Sequence, residues 1–172
     1  MIYGQPAPMT SRHFKSLASE LMSSRDAALL DYCTLEPEDA ASAAKIPSKF
    51  IKRWKEWERA LRLNLARNRA VKIKREGVFE APGYPADAVV AAKSAVAAES
   101  PLEAELFLDK ARWDAIESFQ GINTFSRNAM FAYMLKLLLM ERRAAFITEE
   151  GYTEYKGLYS AIMDLQASGE PK

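Results

Sequence analysis

The sequence predicts an all-α protein, an elongated bundle of six to seven helices, on three observations. Residues that favour helices dominate its 172 positions, above all alanine, leucine, glutamate, lysine and arginine. Alternation of valine, isoleucine and threonine, which is typical of strands, nowhere extends over more than a few residues. Apolar residues instead recur at spacings of three and four, and glycine or proline separates the segments that show this pattern.

Two short helices are predicted in the first third of the chain. Thr10 or Ser11 can cap the first of them, and Ser24 can cap the second. The apolar residues with helical spacing in the first are Phe14, Leu17, Leu21 and Met22. Those that we expect to face inward in the second are Leu29, Leu30 and Cys33. The segment 36–47 is acidic, rich in alanine and weakly patterned, so we expect a loop there that includes one helical turn.

Two long helices are predicted, at about 48–75 and 124–150. Ser48 can cap the first, and Asn123 or Thr124 can cap the second. The second contains the most apolar stretch of the chain, but a lysine interrupts it, whereas a membrane-spanning helix needs about 20 mostly apolar residues. We therefore expect a buried core helix and no membrane insertion.

Three further helices are predicted, at 86–98, 101–120 and 153–166. Ser100 can cap the second of these, because proline follows it at the first helical position. The loop 77–85 contains two glycines and two prolines, which makes it the best candidate for a boundary between lobes. We expect a single helical domain over residues 1–172, and its division into two lobes at this loop stays open.

Several kinds of site are disfavoured by composition. The chain has one cysteine, Cys33, and one histidine, His13, so an intramolecular disulfide and a histidine-rich metal site are not expected. The seven glycines do not have the spacing of a phosphate-binding loop. The first residues have neither the basic region nor the apolar run of a secretory signal, so we expect a cytoplasmic protein. Cys33 is interpreted as a small core residue and His13 as an exposed or half-buried side chain.

The positive charge of the chain is concentrated in one predicted helix. Lysine and arginine total 24 and aspartate and glutamate 23, a net charge of +1 that argues against a general polyanion binder. The segment 49–75 nevertheless carries +9, whereas the segments 1–48 and 76–172 carry −2 and −6. The near-neutral total therefore hides a basic helix within an acidic protein.

One face of this basic helix is apolar. On a helical wheel, the residues of that stripe are Phe50, Trp54, Trp57, Leu61 and Leu65. We expect both tryptophans to face the core and the basic residues to occupy the remaining arc. The last two turns lack an apolar face, so we expect them to project from the body as an arm.

The cations of these last turns are the candidates for contacts with a partner: Arg69, Lys72, Lys74 and Arg75. In the favoured interpretation, the charges of the basic helix pair with the acidic remainder of the chain or with an acidic protein partner. The alternative is a helical nucleic-acid-binding or general adaptor module that uses residues 49–75. Nucleic acid is the less favoured partner, because tryptophans that face the core cannot stack on bases.

The predicted helix at 101–120 carries an aspartate, Asp109, on an apolar stripe. The apolar members of this stripe are Leu102, Leu106, Trp113 and Ile116. Burial of an unpaired carboxylate costs several kcal/mol, and Arg112 lies three residues on, so we expect a structural ion pair between Asp109 and Arg112. A catalytic acid would need a second titratable group or a metal-ligand set, and no spacing indicates one. We therefore expect no enzyme and assign no catalytic, cofactor-binding or metal-binding residue.

Three segments, taken in order, resemble an uncharacterised bacterial protein family that is encoded with V-type ATPase genes and is itself similar to the C (d) component of V-type and A-type ATPases. The segments are 50–67 (FIKRWKEWERALRLNLAR), 101–114 (PLEAELFLDKARWD) and 135–151, which begins LKLLLMERR. The most specific block is 103–113.

The resemblance implies a non-catalytic helical component of the central stalk that couples ATP turnover to ion or proton transport through protein contacts. The implied partners are the stalk and membrane-ring subunits, with no small-molecule substrate and no cofactor. The implied location is cytoplasmic and peripheral to the inner membrane. The chain is short for a complete C (d) component. Two alternatives therefore stay open: the chain occupies the position of that component, or it is an accessory protein.

Overall fold

A computed structural model describes residues 1–75 and 80–145, and within them it contains seven α-helices and no strand. The helices are Ser11–Leu21 (α1), Ser24–Leu29 (α2), Ala40–Lys45 (α3), Lys49–Lys72 (α4), Ala86–Ala97 (α5), Pro101–Gln120 (α6) and Arg127–Ala144 (α7). A short 3₁₀ turn, Leu30–Tyr32, follows α2. The prediction of an all-α helical bundle is confirmed.

Three of the helix starts follow the predicted caps. The hydroxyl of Thr10 accepts a hydrogen bond from the third residue of α1, and those of Ser48 and Ser100 do the same for α4 and α6. In α6, proline occupies the first helical position, where its missing N–H leaves no bond unmade.

Two caps differ from the prediction. Ser23 caps α2 in place of Ser24, because its hydroxyl accepts the N–H of Asp26. Ser126 caps α7 in place of Asn123 or Thr124. The side chain of Asn123 instead accepts the backbone N–H of Phe125 in a turn that precedes the helix.

The segment predicted as a loop with one helical turn contains α3, a helix of six residues. Its start is stabilised by Asp39, which accepts the backbone N–H groups of Ala41 and Ser42. Ala43 and Ile46 are buried and attach this segment to α4. A strong cap and two buried side chains thus compensate for the weak apolar pattern.

The core is built around α4, which packs against α3, α5, α6 and α7. All five residues of its predicted apolar stripe are buried, including both tryptophans, whose rings stack with centroids 5.9 Å apart. Four alanines of α5, at positions 88, 91, 92 and 95, are buried, and such small side chains let two helices approach closely. The buried apolar residues on both sides of the loop 77–85 belong to one continuous cluster.

The apolar face of α1 is narrower than predicted. Phe14 and Ala18 are buried, but Leu17 is exposed and Leu21 is 84% exposed. Among the described helices, α1 packs mainly against α2 and α7. These contacts bury one line of its side chains and leave Leu17 and Leu21 in solvent.

The two long helices are shorter than predicted within the described residues. α4 ends at Lys72 rather than Arg75, and its 24 residues span about 36 Å. The predicted continuation of α7 to residue 150, the predicted helix at 153–166 and part of the loop 77–85 lie outside the described residues. Within the described ranges, no helix combines the length and the apolar character needed to cross a bilayer.

Candidate functional site

Six charged side chains form a connected ionic network between α4, α6 and α7. Its members are Glu58, Arg62, Glu105, Asp109, Arg112 and Arg142. At its centre, Glu58 is 0% exposed and accepts Arg62 Nε at 2.7 Å and Arg112 Nε at 3.0 Å. Burial by itself would lower the pKa of the Arg112 guanidinium, but the charge and hydrogen bonds of Glu58 outweigh it and raise that pKa.

Asp109 lies at the second node of this network. Its Oδ1 accepts Arg112 Nη1 at 3.1 Å and lies 3.8 Å from Arg142 Nη1. Its Oδ2 is buried and accepts no hydrogen bond from the described residues. Burial raises the pKa of Asp109, although Arg142 and Arg112 act to lower it.

The expected ion pair between Asp109 and Arg112 is therefore present, as one link of a larger network. The sequence analysis does not identify Glu58 as a member of this network. A signal exists, because Glu58 follows Trp54 by four residues and precedes Leu61 by three, which places it on the buried stripe.

The expectation that all basic residues of α4 lie on the exposed arc is wrong for Lys55. Its side chain is buried, with Nζ 2.8 Å from the carbonyl oxygen of Glu36 and 3.2 Å from Glu38 Oε1. The segment before α3 folds over α4 and supplies acceptors that satisfy the buried ammonium. Lys55 therefore attaches this segment to the core.

The end of α4 forms a second polar feature, here called the basic tip and defined as residues 66–75. The N–H of Lys74 donates to the carbonyl of Val71, and the N–H of Arg75 donates to that of Ala70, both at 3.0 Å. These two bonds form a Schellman motif. Lys74 occupies its left-handed position with φ 52°, where glycine is the favoured residue.

The four candidates for partner contacts all lie in the basic tip, and all four are exposed. Lys72 Nζ donates to the carbonyl of Val96 at 2.8 Å. The expected projecting arm is therefore held against α5. Arg69, Lys74 and Arg75 form no ion pair with the described residues. Two apolar side chains stand beside them, Val71 at 58% and Ile73 at 70% exposure.

The remaining candidates for chemistry are isolated. Cys33 is buried in the core, and this burial raises the pKa of its thiol to about 12, which disfavours the thiolate. His13 is exposed at the start of α1. Within residues 1–75 and 80–145, no three histidine, cysteine or acidic side chains are grouped so that they could hold a metal ion.

Comparisons of the chain with models of known protein families, with curated proteins and with solved structures found no match.

Proposed function

We propose that this chain is a non-catalytic subunit or accessory protein of a bacterial V-type ATPase, similar to the C (d) component, which couples ATP turnover to ion transport through protein contacts. Its partners would be stalk and membrane-ring subunits, and its place the cytoplasmic side of the inner membrane, without insertion. The observation that carries the proposal is the basic tip, a cluster of exposed cations beside exposed Val71 and Ile73 on an otherwise acidic chain.

The backbone at Lys74 supports a role for the tip in binding. A non-glycine residue in the left-handed region costs roughly 1 kcal/mol relative to glycine, and an exposed lysine gains no packing there. A side chain kept at a local cost in stability is typical of a functional surface. An acidic partner surface would neutralise these cations and steer its approach.

The ionic network supports the resemblance on which the proposal also depends. Glu58 and Arg62 belong to the first resembling segment, whereas Asp109 and Arg112 belong to the second and Arg142 to the third. Charged residues of all three resembling segments thus meet in this network. A stalk component that transmits force needs such rigid cross-links, and the network joins α4, α6 and α7.

The experiment is affinity capture from bacterial membranes, with the tagged chain expressed at native level and the captured proteins identified by mass spectrometry. Wild type is expected to capture V-type ATPase stalk or ring subunits. The variant Arg69→Glu/Lys74→Glu/Arg75→Glu is expected to lose them, because it reverses three exposed charges of the tip.

A matched control reverses three exposed cations elsewhere. Arg12→Glu/Lys45→Glu/Lys93→Glu makes the same change of net charge on α1, α3 and α5 and should capture ATPase subunits as wild type does. Absence of ATPase subunits from the wild-type capture contradicts the proposal. If both variants lose the ATPase subunits equally, capture depends on the total charge of the chain, and the basic tip is not the contact.

A further inference from the structure

A groove of about 780 Å³ lies between α4, the start of α5 and the end of α6, away from the basic tip. Its volume is in the range of pockets that hold small molecules. Four cations from one face of α4 line it: Lys49, Lys52, Arg53 and Arg59. None of these four forms an ion pair within the described part of the chain. Arg59 Nη1 is buried and has no hydrogen-bond partner among the described residues.

The acidic side chains of the groove do not cancel this charge. Glu56 and Asp87 also line it, which leaves the groove with a net charge of +2. Asp87 Oδ2 accepts the indole N–H of Trp57 at 2.8 Å, so this carboxylate is already engaged in holding α5 against α4. The start of α5 adds positive potential, since Pro85 supplies no side-chain cap for its first N–H groups.

Two contacts hold the walls of the groove, a hydrogen bond from one buried amide and a cation–aromatic contact. Asn64 is buried and donates through Nδ2 to the carbonyl of Pro82 at 2.8 Å, which fixes the loop that leads into α5. Between α4 and α6, the exposed Arg53 guanidinium lies over the half-buried Phe119 ring, 4.4 Å from its centroid. Arg53 and Phe119 are therefore in contact before any ligand arrives.

We propose that this groove binds a phosphorylated small molecule that carries a flat ring. Phosphate groups offer several acceptor oxygens and match the donors of lysine and arginine, including the unpartnered Nη1 of Arg59. The stacked pair of Arg53 and Phe119 offers a surface on which a flat ring can lie. This inference is independent of the proposed function, because it concerns a ligand of the chain rather than a substrate or a protein partner.

The test is isothermal titration of the full chain, with adenosine triphosphate and inorganic triphosphate as probes, at low and at physiological salt. One molecule of adenosine triphosphate is expected to bind, about tenfold or more tightly than inorganic triphosphate. Arg59→Gln and Arg53→Gln should each weaken binding about tenfold or more, because each removes a charged donor. Lys49→Gln, an exposed change in the same groove, serves in place of either variant that fails to fold by circular dichroism.

Matched controls on other helices separate a site from general attraction. Arg12→Gln on α1 and Lys93→Gln on α5 each remove one exposed positive charge outside the groove and should leave affinity within about twofold of wild type. Equal weakening by these controls, or no binding at low salt, overturns the proposal. Equal affinity for the two probes overturns the role of the ring. Binding only to vesicles that contain phosphatidylglycerol would assign the groove to a lipid surface and reject a free ligand.

Discussion

Arg112 of α6 donates to both carboxylate oxygens of Glu58 of α4, from Nε at 3.0 Å and from Nη2 at 3.2 Å, and both side chains are buried. The two residues are 54 positions apart in the chain. This bidentate pair joins two helices at the centre of the core, where removal of one partner leaves a buried charge short of a donor or acceptor.

Loss of the arginine from this pair is expected to be costly. Arg112→Leu should lower the free energy of unfolding by about 3–5 kcal/mol, because Glu58 and Asp109 both lose a buried partner. Urea denaturation measures this value. Lys110→Ala, which breaks an exposed pair with Asp114 on the same helix, should cost less than about 1 kcal/mol. Adding Glu58→Leu to Arg112→Leu should cost less than the sum of the single changes, and strict additivity would show that the pair is not coupled.

Truncation of Trp113 tests the assignment of the buried face of α6. Trp113→Ala should lower the free energy of unfolding by about 3–5 kcal/mol, since the side chain is buried against Tyr3, with ring centroids 5.5 Å apart. Lys74→Ala should be nearly neutral for folding, because Lys74 is exposed. Thermal or urea unfolding compares them, and small, equal effects would contradict this packing of α6.

The stability of the fold should depend on pH through Asp109. Most carboxylates make a protein more stable as pH rises, whereas Asp109 should make it less stable. Burial raises its pKa in the folded state despite Arg142 and Arg112, while Glu105 adds to the rise. Between the unfolded and folded pKa values the folded chain binds more protons, so this residue makes stability fall as pH rises. Asp109→Asn should match wild type where the carboxyl is protonated in both states and become the more stable protein as pH rises. Urea denaturation across the acidic range measures the difference.

Asp39 provides a control, because its effect on stability should change with pH in the direction opposite to that of Asp109. Hydrogen bonds from the Ser42 side chain and from backbone N–H groups lower the pKa of Asp39. Its contribution is present above the unfolded pKa and is lost as pH falls through the folded value. Asp39→Asn should therefore be the less stable protein near neutrality and approach wild type in acid. Parallel pH curves for Asp109→Asn and Asp39→Asn would reject both assignments.

The Schellman motif at the end of α4 predicts that replacing Lys74 with glycine stabilises the fold but weakens binding of the partner. Lys74→Gly should raise the free energy of unfolding by about 0.5–1 kcal/mol, because glycine adopts the left-handed conformation without a Cβ clash. Lys74→Ala keeps the Cβ and should show no such gain. Both variants lose the cation and should weaken capture of the proposed ATPase partner to a similar extent. A stabilised glycine variant with full capture would remove Lys74 from the contact.

The helices were predictable because the information that forms them is local. The caps at Thr10, Ser48 and Ser100, and the apolar stripe that contains Trp54 and Trp57, each lie within a few residues of what they stabilise. The predictions were wrong for side chains whose exposure to solvent depends on a neighbouring segment. Leu21 lies in solvent because α1 has few neighbours, and Lys55 is buried because the chain before α3 covers it.

The candidate sites divide in the same way. Asp109 could be recognised as a buried carboxylate, and Arg112 as its partner, because a charge on an apolar stripe has few alternatives and the two lie one turn apart. Glu58 could not be assigned to the same network, since its partner comes from a distant helix. The groove at Arg59 was likewise outside sequence reasoning, because its walls come from three helices and a loop.

The sequence by itself determined that the chain is helical and that its positive charge is concentrated on one helix. Both can be derived from local information, because composition, apolar spacing and caps do not depend on how the helices pack. The tertiary structure decided which of those charges are used. Packing of α5, α6 and α7 around α4 buries Glu58 together with Arg112, and the segment before α3 covers Lys55. Arg59 Nη1 is enclosed without a hydrogen-bond partner among the described residues, whereas Lys74 stays in solvent. These side chains differ in role because the fold removes some of them from water and places partners on neighbouring helices within reach of some of them. Their charge alone does not distinguish them.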